Sequence, residues 1–156
     1  MLHFAYGANM SRAVMQRHAP GAQPLGAAVL ANYRFIITGD GYASLAPTPA
    51  AAVYGVLWRL TARDRVGLDA WENIAGGSYR IETLPVQQAG RRQRALVYLA
   101  RQRGVGRAKP GYMQLVVAAA RAWELPADYV ATLQQWVPVR SAAIGVGKFG
   151  TCGWTS

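Results

Sequence analysis

Seven carboxylates serve a chain of 156 residues, so the candidates for proton transfer are Asp40, Asp64, Asp69, Glu72, Glu82, Glu124 and Asp128. Most have structural explanations. Asp64 stands three residues after Thr61 and suits a helix cap, Glu82 sits in polar alternation on a strand, and Glu124 and Asp128 flank the proline that opens a late helix. Asp69 and Glu72 differ: they are three apart on one face of an expected helix, among Leu68, Trp71 and Ile74. A neighbouring like charge and apolar walls both raise a carboxylate's pKa, and a glutamate raised toward neutrality can take a proton and return it. A paired or solvated helix carboxylate is the commoner fate of such a residue, so the pattern nominates Glu72 without assigning it.

The segment Tyr6-Gly7-Ala8-Asn9 carries a second chemical suggestion. A glycine after a strand, with backbone N–H groups ahead of a helix, can cradle an anion, although a short turn with no ligand fits the same residues. Other chemistries find little support. Cys152 stands alone in a glycine-rich tail, without a nearby histidine for thiol activation or partners for zinc. His3 and His18 lack partners at metal-ligand spacing, and no Ser-His-Asp arrangement stands out. No metal and no cofactor is expected.

These residues need elements to hold them. Leu2 to Tyr6 reads as a strand, Ser11 to His18 as a short helix, and Ala28 to Thr38 as a second strand. The loop Gly39-Asp40-Gly41-Tyr42 and the turn-rich Pro47-Thr48-Pro49 follow, a stretch able to cover a site. Val53 to Leu60 is the most apolar strand-like run and belongs deep in a sheet. Thr61 with Asp64 forms a capping box for a helix reaching about Asn73. Tyr79 to Gln87 and Arg92 to Ala100 read as a hairpin joined through Ala89-Gly90. Pro110 to Trp123 and Pro126 to Trp136 read as helices opened by prolines. The order of the tail 144–156 is left open. One α+β domain over residues 1–156 is the simplest account.

The formal charge of +10 attracts anions of any kind, and the basic residues gather at Arg91, Arg92, Arg94, Arg101, Arg103, Arg107 and Lys109. They flank the apolar run Ala95 to Leu99, as solvated strand ends would, and no recognition helix or aromatic platform accompanies them. A nucleic-acid partner is therefore not expected. No apolar run approaches the roughly 20 residues that span a bilayer, and Met1 to Met10 lacks a signal-peptide pattern. The expectation is a cytoplasmic protein without a membrane partner, monomeric or homodimeric.

Several short motifs together resemble a known family. Phe4-Ala5-Tyr6-Gly7-Ala8-Asn9-Met10 is similar to the FAYGSN signature of the γ-glutamyl cyclotransferase-like superfamily, Val53 to Trp58 to its VWGVVW-type strand, and Leu68-Asp69-Ala70-Trp71-Glu72 to its L-D-x-x-E helix. Gly77-Ser78-Tyr79 resembles its G-x-Y, and Pro110-Gly111-Tyr112 its P-x-Y. Order and spacing are kept over roughly the first 120 residues, where chance agreement of so many short motifs is improbable.

The resemblance implies a small mixed β-barrel with packed helices in one domain, catalytic Glu72, and a pocket bounded by Tyr6, Gly7, Ala8, Asn9, Tyr79 and Tyr112. It implies release of 5-oxoproline from a small γ-glutamyl substrate, with no metal or organic cofactor. Ala8 stands where the family commonly has serine, which removes a hydroxyl and leaves the backbone N–H groups in place. Two alternatives accompany this reading: a γ-glutamylamine or natural-product deblocking enzyme, and a non-catalytic binding or nucleic-acid-associated protein on the same fold.

Overall fold

The computed structural model of the protein describes residues 1–102 and 104–139; Arg103, Cys152 and the glycine-rich tail from Ile144 lie outside the described residues. The elements are β1 (Leu2–Ala5), a 3-10 turn (Ala8–Met10), α1 (Arg12–His18), β2 (Gln23–Ile37), β3 (Ala43–Arg59), α2 (Ala62–Trp71), β4 (Tyr79–Gln88), β5 (Arg91–Ala100), α3 (Tyr112–Ala122) and α4 (Ala127–Gln134). The strands close into a barrel in the order β1-β3-β2-β4-β5. Every pairing is antiparallel except β1 against β5, where His3 lies opposite Leu96. This is the mixed α+β barrel that the resemblance implies.

The run from Val53 to Trp58 lies as deep as its composition requires. Val56 pairs with Ala5 of β1 on one side and Ala27 of β2 on the other. With both faces covered, the strand reads as continuous hydrophobics rather than alternation, and Val53, Val56 and Leu57 are fully buried.

The structure corrects the reading of Pro47-Thr48-Pro49 as turn. Those residues lie inside β3, with Pro47 opposite Tyr33 of β2. Among the described residues β1 pairs with β3 only from Val56 to Arg59, so the outer side of β3 at Pro47 is an edge where a missing proline N–H costs little. The true turn is at Gly39 to Tyr42, as expected, where Thr38 N–H donates to the Tyr42 carbonyl at 2.9 Å.

At α2 the capping box forms in both directions. Asp64 N–H donates to Thr61 Oγ1 at 3.1 Å, and Thr61 N–H donates to Asp64 Oδ2 at 2.9 Å. Gly21 N–H adds a third bond to Asp64 Oδ1 at 2.9 Å. Burial pushes the Asp64 carboxyl up, but the bonds from Thr61 and Gly21 outweigh it and hold the group below its usual value. Caps of this kind contribute about 1 kcal/mol. The helix ends at Trp71 rather than about Asn73, making Glu72 its C-cap, with Glu72 N–H donating to the Leu68 carbonyl at 2.8 Å. A carboxylate in that position projects from the helix end instead of lying along its flank.

The prolines stand slightly outside the helices they introduce. Pro110 precedes Gly111, the left-handed N-cap of α3, and Pro126 is itself the N-cap of α4. From α3, Met113, Val116, Val117 and Ala120 enter the core. Trp123 at its end donates from Nε1 to the Met10 carbonyl at 2.7 Å, which ties the helix to the turn after β1.

Candidate functional site

A cavity of about 530 Å³ opens where β1, the ends of α1 and α2, the start of β4 and the start of α3 meet. Tyr6, Gly7, Ala8, Asn9, Glu72, Tyr79 and Tyr112 all line it, so residues spread over more than a hundred positions converge on one space. Glu72 is the only acid in the lining among the described residues.

Gly7 stands at the tightest point. A Cβ there would lie 2.9 Å from the Tyr112 hydroxyl and 3.2 Å from Ala43 Cβ, so the approach of α3 to the loop requires glycine. Within the 3-10 turn, the Met10 and Ser11 amides donate to the Gly7 and Ala8 carbonyls at 3.0 and 2.9 Å. Any backbone cradle for an anion must therefore come from the amides before Met10.

Asn9 is buried and meets Glu72 across the cavity wall. Its Nδ2 donates to Glu72 Oε1 at 2.9 Å, whereas its Oδ1 is buried with no hydrogen-bond partner among the described residues. Burial raises the Glu72 carboxyl from its ordinary 4.5 to about 7, and the bond from Asn9 opposes the rise. Of the two causes expected for a raised pKa, like charge and apolar walls, only the walls operate. Asp69 is engaged elsewhere: Arg65 Nε donates to it at 3.0 Å and the Tyr98 hydroxyl at 2.6 Å.

Because the Asn9 bond favours the ionised carboxylate, Asn9→Leu should raise the Glu72 pKa further. The expected result is a titration midpoint moved above about 7, read from the Glu72 side-chain carbon by NMR. A midpoint unchanged or lowered would mean that the contact does not act on the carboxyl.

The tyrosines form a polar lining inside an apolar frame. Tyr6 donates to the Tyr98 carbonyl, and Tyr79 donates to the Ala43 carbonyl at 2.7 Å. The Tyr112 hydroxyl accepts from Ala43 N–H at 3.4 Å. Burial pushes the Tyr112 phenol up to about 12, with the Ala43 bond opposing and the nearby Glu72 charge adding to it. Tyr6 and Tyr79 are raised too, first by burial and then by neighbouring tyrosines and Glu72. All three stay protonated near neutral pH; Tyr6 and Tyr79 use their O–H on backbone carbonyls and can still accept, whereas Tyr112 keeps its O–H to donate.

Sequence reasoning missed several lining residues. His3, noted in the sequence only for lacking partners at metal-ligand spacing, is buried in the cavity wall with Nδ1 3.1 Å from the Leu96 carbonyl. Burial drives its pKa down to about 4, so the ring is neutral, and Nε2 has no partner among the described residues. Its place on β1, one residue before the FAYG motif, was the available signal. Tyr42 and Trp71, from the loop expected to cover a site and the apolar setting of Glu72, line the cavity too; so do Arg17, Tyr98 and Leu115, which nothing local in the sequence marked. Among the described residues, no three His, Cys, Asp or Glu side chains come together as a metal site, and no helix is long and apolar enough to cross a membrane.

A closed mixed barrel whose β1 loop meets a glutamate at the end of α2 is a γ-glutamyl cyclotransferase-like fold. A solved structure described as a γ-glutamyl cyclotransferase superposes with a TM-score of 0.83 at 22% identity, covering 100% of this chain and 93% of that one. An uncharacterized Homo sapiens protein gives 0.81 at 23% identity, with 88% of each chain covered. YkqA from Bacillus subtilis gives 0.75 at 25% identity, covering 86% of this chain and 53% of its own. The model of the AIG2-like family matches residues 52–133, just over half of the sequence, and the chain belongs to that family. No curated protein matches it.

Proposed function

We propose that the protein is a γ-glutamyl cyclotransferase, releasing 5-oxoproline from a γ-glutamyl amino acid, peptide or amine with Glu72 as its general acid and base. The observation that carries this reading is the buried Glu72 carboxyl bonded by Asn9, the sole acid in the cavity lining among the described residues and raised by its burial. A γ-glutamyl group contains its own nucleophile, because its α-amino nitrogen closes a five-membered ring on its γ-carbonyl. The enzyme then has mainly to hold the chain folded, and oriented intramolecular attack is worth about 7–11 kcal/mol of barrier.

The substrate arrives as an α-ammonium, which must lose a proton before it attacks. Glu72 with a pKa of about 7 accepts that proton and gives it to the departing amine as the C–N bond breaks. In this reading the amides of Gly7 to Asn9 hold the α-carboxylate or the developing oxyanion, roles that Ala8 fills as well as serine through its backbone. Tyr79 and Tyr112 orient the glutamyl group through their hydroxyls.

The test is product identity. Incubation with a panel of γ-glutamyl compounds should yield 5-oxoproline and the free amine in equal amounts by mass spectrometry. Free glutamate as the initial product would make water the nucleophile and overturn the reading.

A further inference from the structure

The cavity is larger than the reaction needs. Even at the roughly 30 Å³ that liquid water takes per heavy atom, a glutamyl group of about nine heavy atoms fills about half of its 530 Å³. The remainder belongs to whatever is attached to the γ-carbonyl, and its walls differ from those around Glu72.

Seven large apolar side chains are left exposed among the described residues, and three of them, Tyr42, Trp71 and Leu115, line this one cavity at 44%, 48% and 37% exposure. Single exposed hydrophobics need no explanation, but a cluster bordering a binding space marks a surface that a ligand covers. Three different elements contribute it: the β2–β3 turn, the end of α2 and the first turns of α3.

Arg17 is the only lysine or arginine in the lining among the described residues. It sits in the last turn of α1, where a cation is favoured by the helix dipole, which would be a sufficient reason for a surface arginine. Its surroundings add a second reason. His18, beside it, stacks on Trp71 with ring centroids 3.9 Å apart and planes 18° from parallel, which pins the end of α1 against the end of α2. That contact fixes the backbone of Arg17 beside Trp71, and both residues line the cavity. Arg12, one helical face away, already lies over the Trp123 ring at 3.9 Å, whereas Arg17 has no ion pair, hydrogen bond or ring stack among the described residues.

We infer that the outer half of the cavity selects the leaving group as a single α-amino acid with a free carboxylate, held by Arg17, and an apolar side chain, laid over Trp71, Tyr42 and Leu115. This rests on the cyclotransferase reading and narrows it. A guanidinium fork matches a carboxylate through two parallel N–H donors, a match that a primary amide or a bare alkylamine cannot offer. The same rim gives a glycine leaving group nothing to cover.

The experiment compares γ-glutamyl-leucine, γ-glutamyl-leucinamide and γ-glutamyl-glycine. Wild type should release 5-oxoproline from the acid with a kcat/KM about ten- to a hundredfold above the amide, the range of a hydrogen-bonded charged contact. Leucine should exceed glycine by about tenfold or more. Arg17→Gln should bring the acid-to-amide ratio near one, and Trp71→Ser should narrow the leucine-to-glycine ratio. Equal rates for acid and amide in wild type, or a ratio that survives Arg17→Gln, would overturn the inference. Should wild type release no 5-oxoproline from any of the three, the cyclotransferase reading would fall, and titration calorimetry on the same proteins would still decide the rim. Tighter binding of the acid than the amide, lost in Arg17→Gln, upholds it; equal affinities or no binding overturn it.

Discussion

Glu72→Gln should lose about 10²- to 10⁴-fold in turnover and, at alkaline pH, become more stable than the wild-type protein. The two effects have one cause. Glutamine keeps the shape of the side chain and an acceptor for Asn9 Nδ2, but it can neither take up a proton nor carry a charge. The wild-type carboxyl is raised from 4.5 to about 7 by burial, so its ionised form is disfavoured in the folded state. Below pH 4.5 the group is protonated whether the chain is folded or not, and it costs no stability. As pH rises from 4.5 to about 7 the unfolded chain ionises while the folded one resists, and wild-type stability falls. Above about 7 the loss is complete. The shift corresponds to roughly 3 kcal/mol, trimmed to about 1–3 by solvent at the open mouth of the cavity.

Denaturant unfolding of both proteins at pH 4 and pH 8 measures this directly. Near-equal stability at pH 4 and a more stable variant at pH 8 is the expected outcome. A variant less stable at pH 8 would mean that the carboxylate is favourably held, contrary to a base poised by burial. Asp69→Asn should do less to turnover, because Asp69 is bonded to Arg65 and Tyr98 rather than facing the cavity lining. If it proved the more damaging change, the choice of base would be reversed.

What the sequence revealed of this site follows the range of the interactions involved. The capping box at Thr61 and Asp64 was legible because it depends on residues three apart, and it forms in both directions. The apolar setting of Glu72 was legible for the same reason. Pairing it with Asp69 as a like charge was a local inference that failed, since Tyr98 reaches Asp69 from β5, 29 positions away. Asn9 and Glu72 are 63 positions apart, and only barrel closure brings the β1 loop to the end of α2. The motif resemblance put both residues in one pocket without giving the geometry that links them. Pro47 and Pro49 misled for a related reason. Proline signals a turn unless its strand lies at an edge, and whether β3 has an outer neighbour there depends on where β1 pairs. Of the rim, only Trp71 stood in a recognised motif; Arg17 and Leu115 had no sequence signature, because each is ordinary on its own helix and unusual only in company with the others.

The largest effect should come from the substrate rather than the protein. An N-acetyl-γ-glutamyl compound keeps the scissile amide and the α-carboxylate but has an amide nitrogen in place of the basic amine, so it has no nucleophile to close the ring. Release of its amine should be undetectable where the unblocked compound turns over readily. A hydrolase with the same cavity would behave differently, because water does not depend on the α-nitrogen, and it would cleave the blocked compound to N-acetylglutamate. An α-glutamyl dipeptide should also resist cleavage, since its free amine and scissile carbonyl are attached to one carbon and no five-membered ring joins them. Both controls vary the nucleophile while leaving the enzyme intact, so neither can fail through misfolding. If amine were freed from the blocked substrate at a rate near that of the unblocked one, the proton handled by Glu72 would have to come from water, and intramolecular cyclisation could not be the reaction of this site.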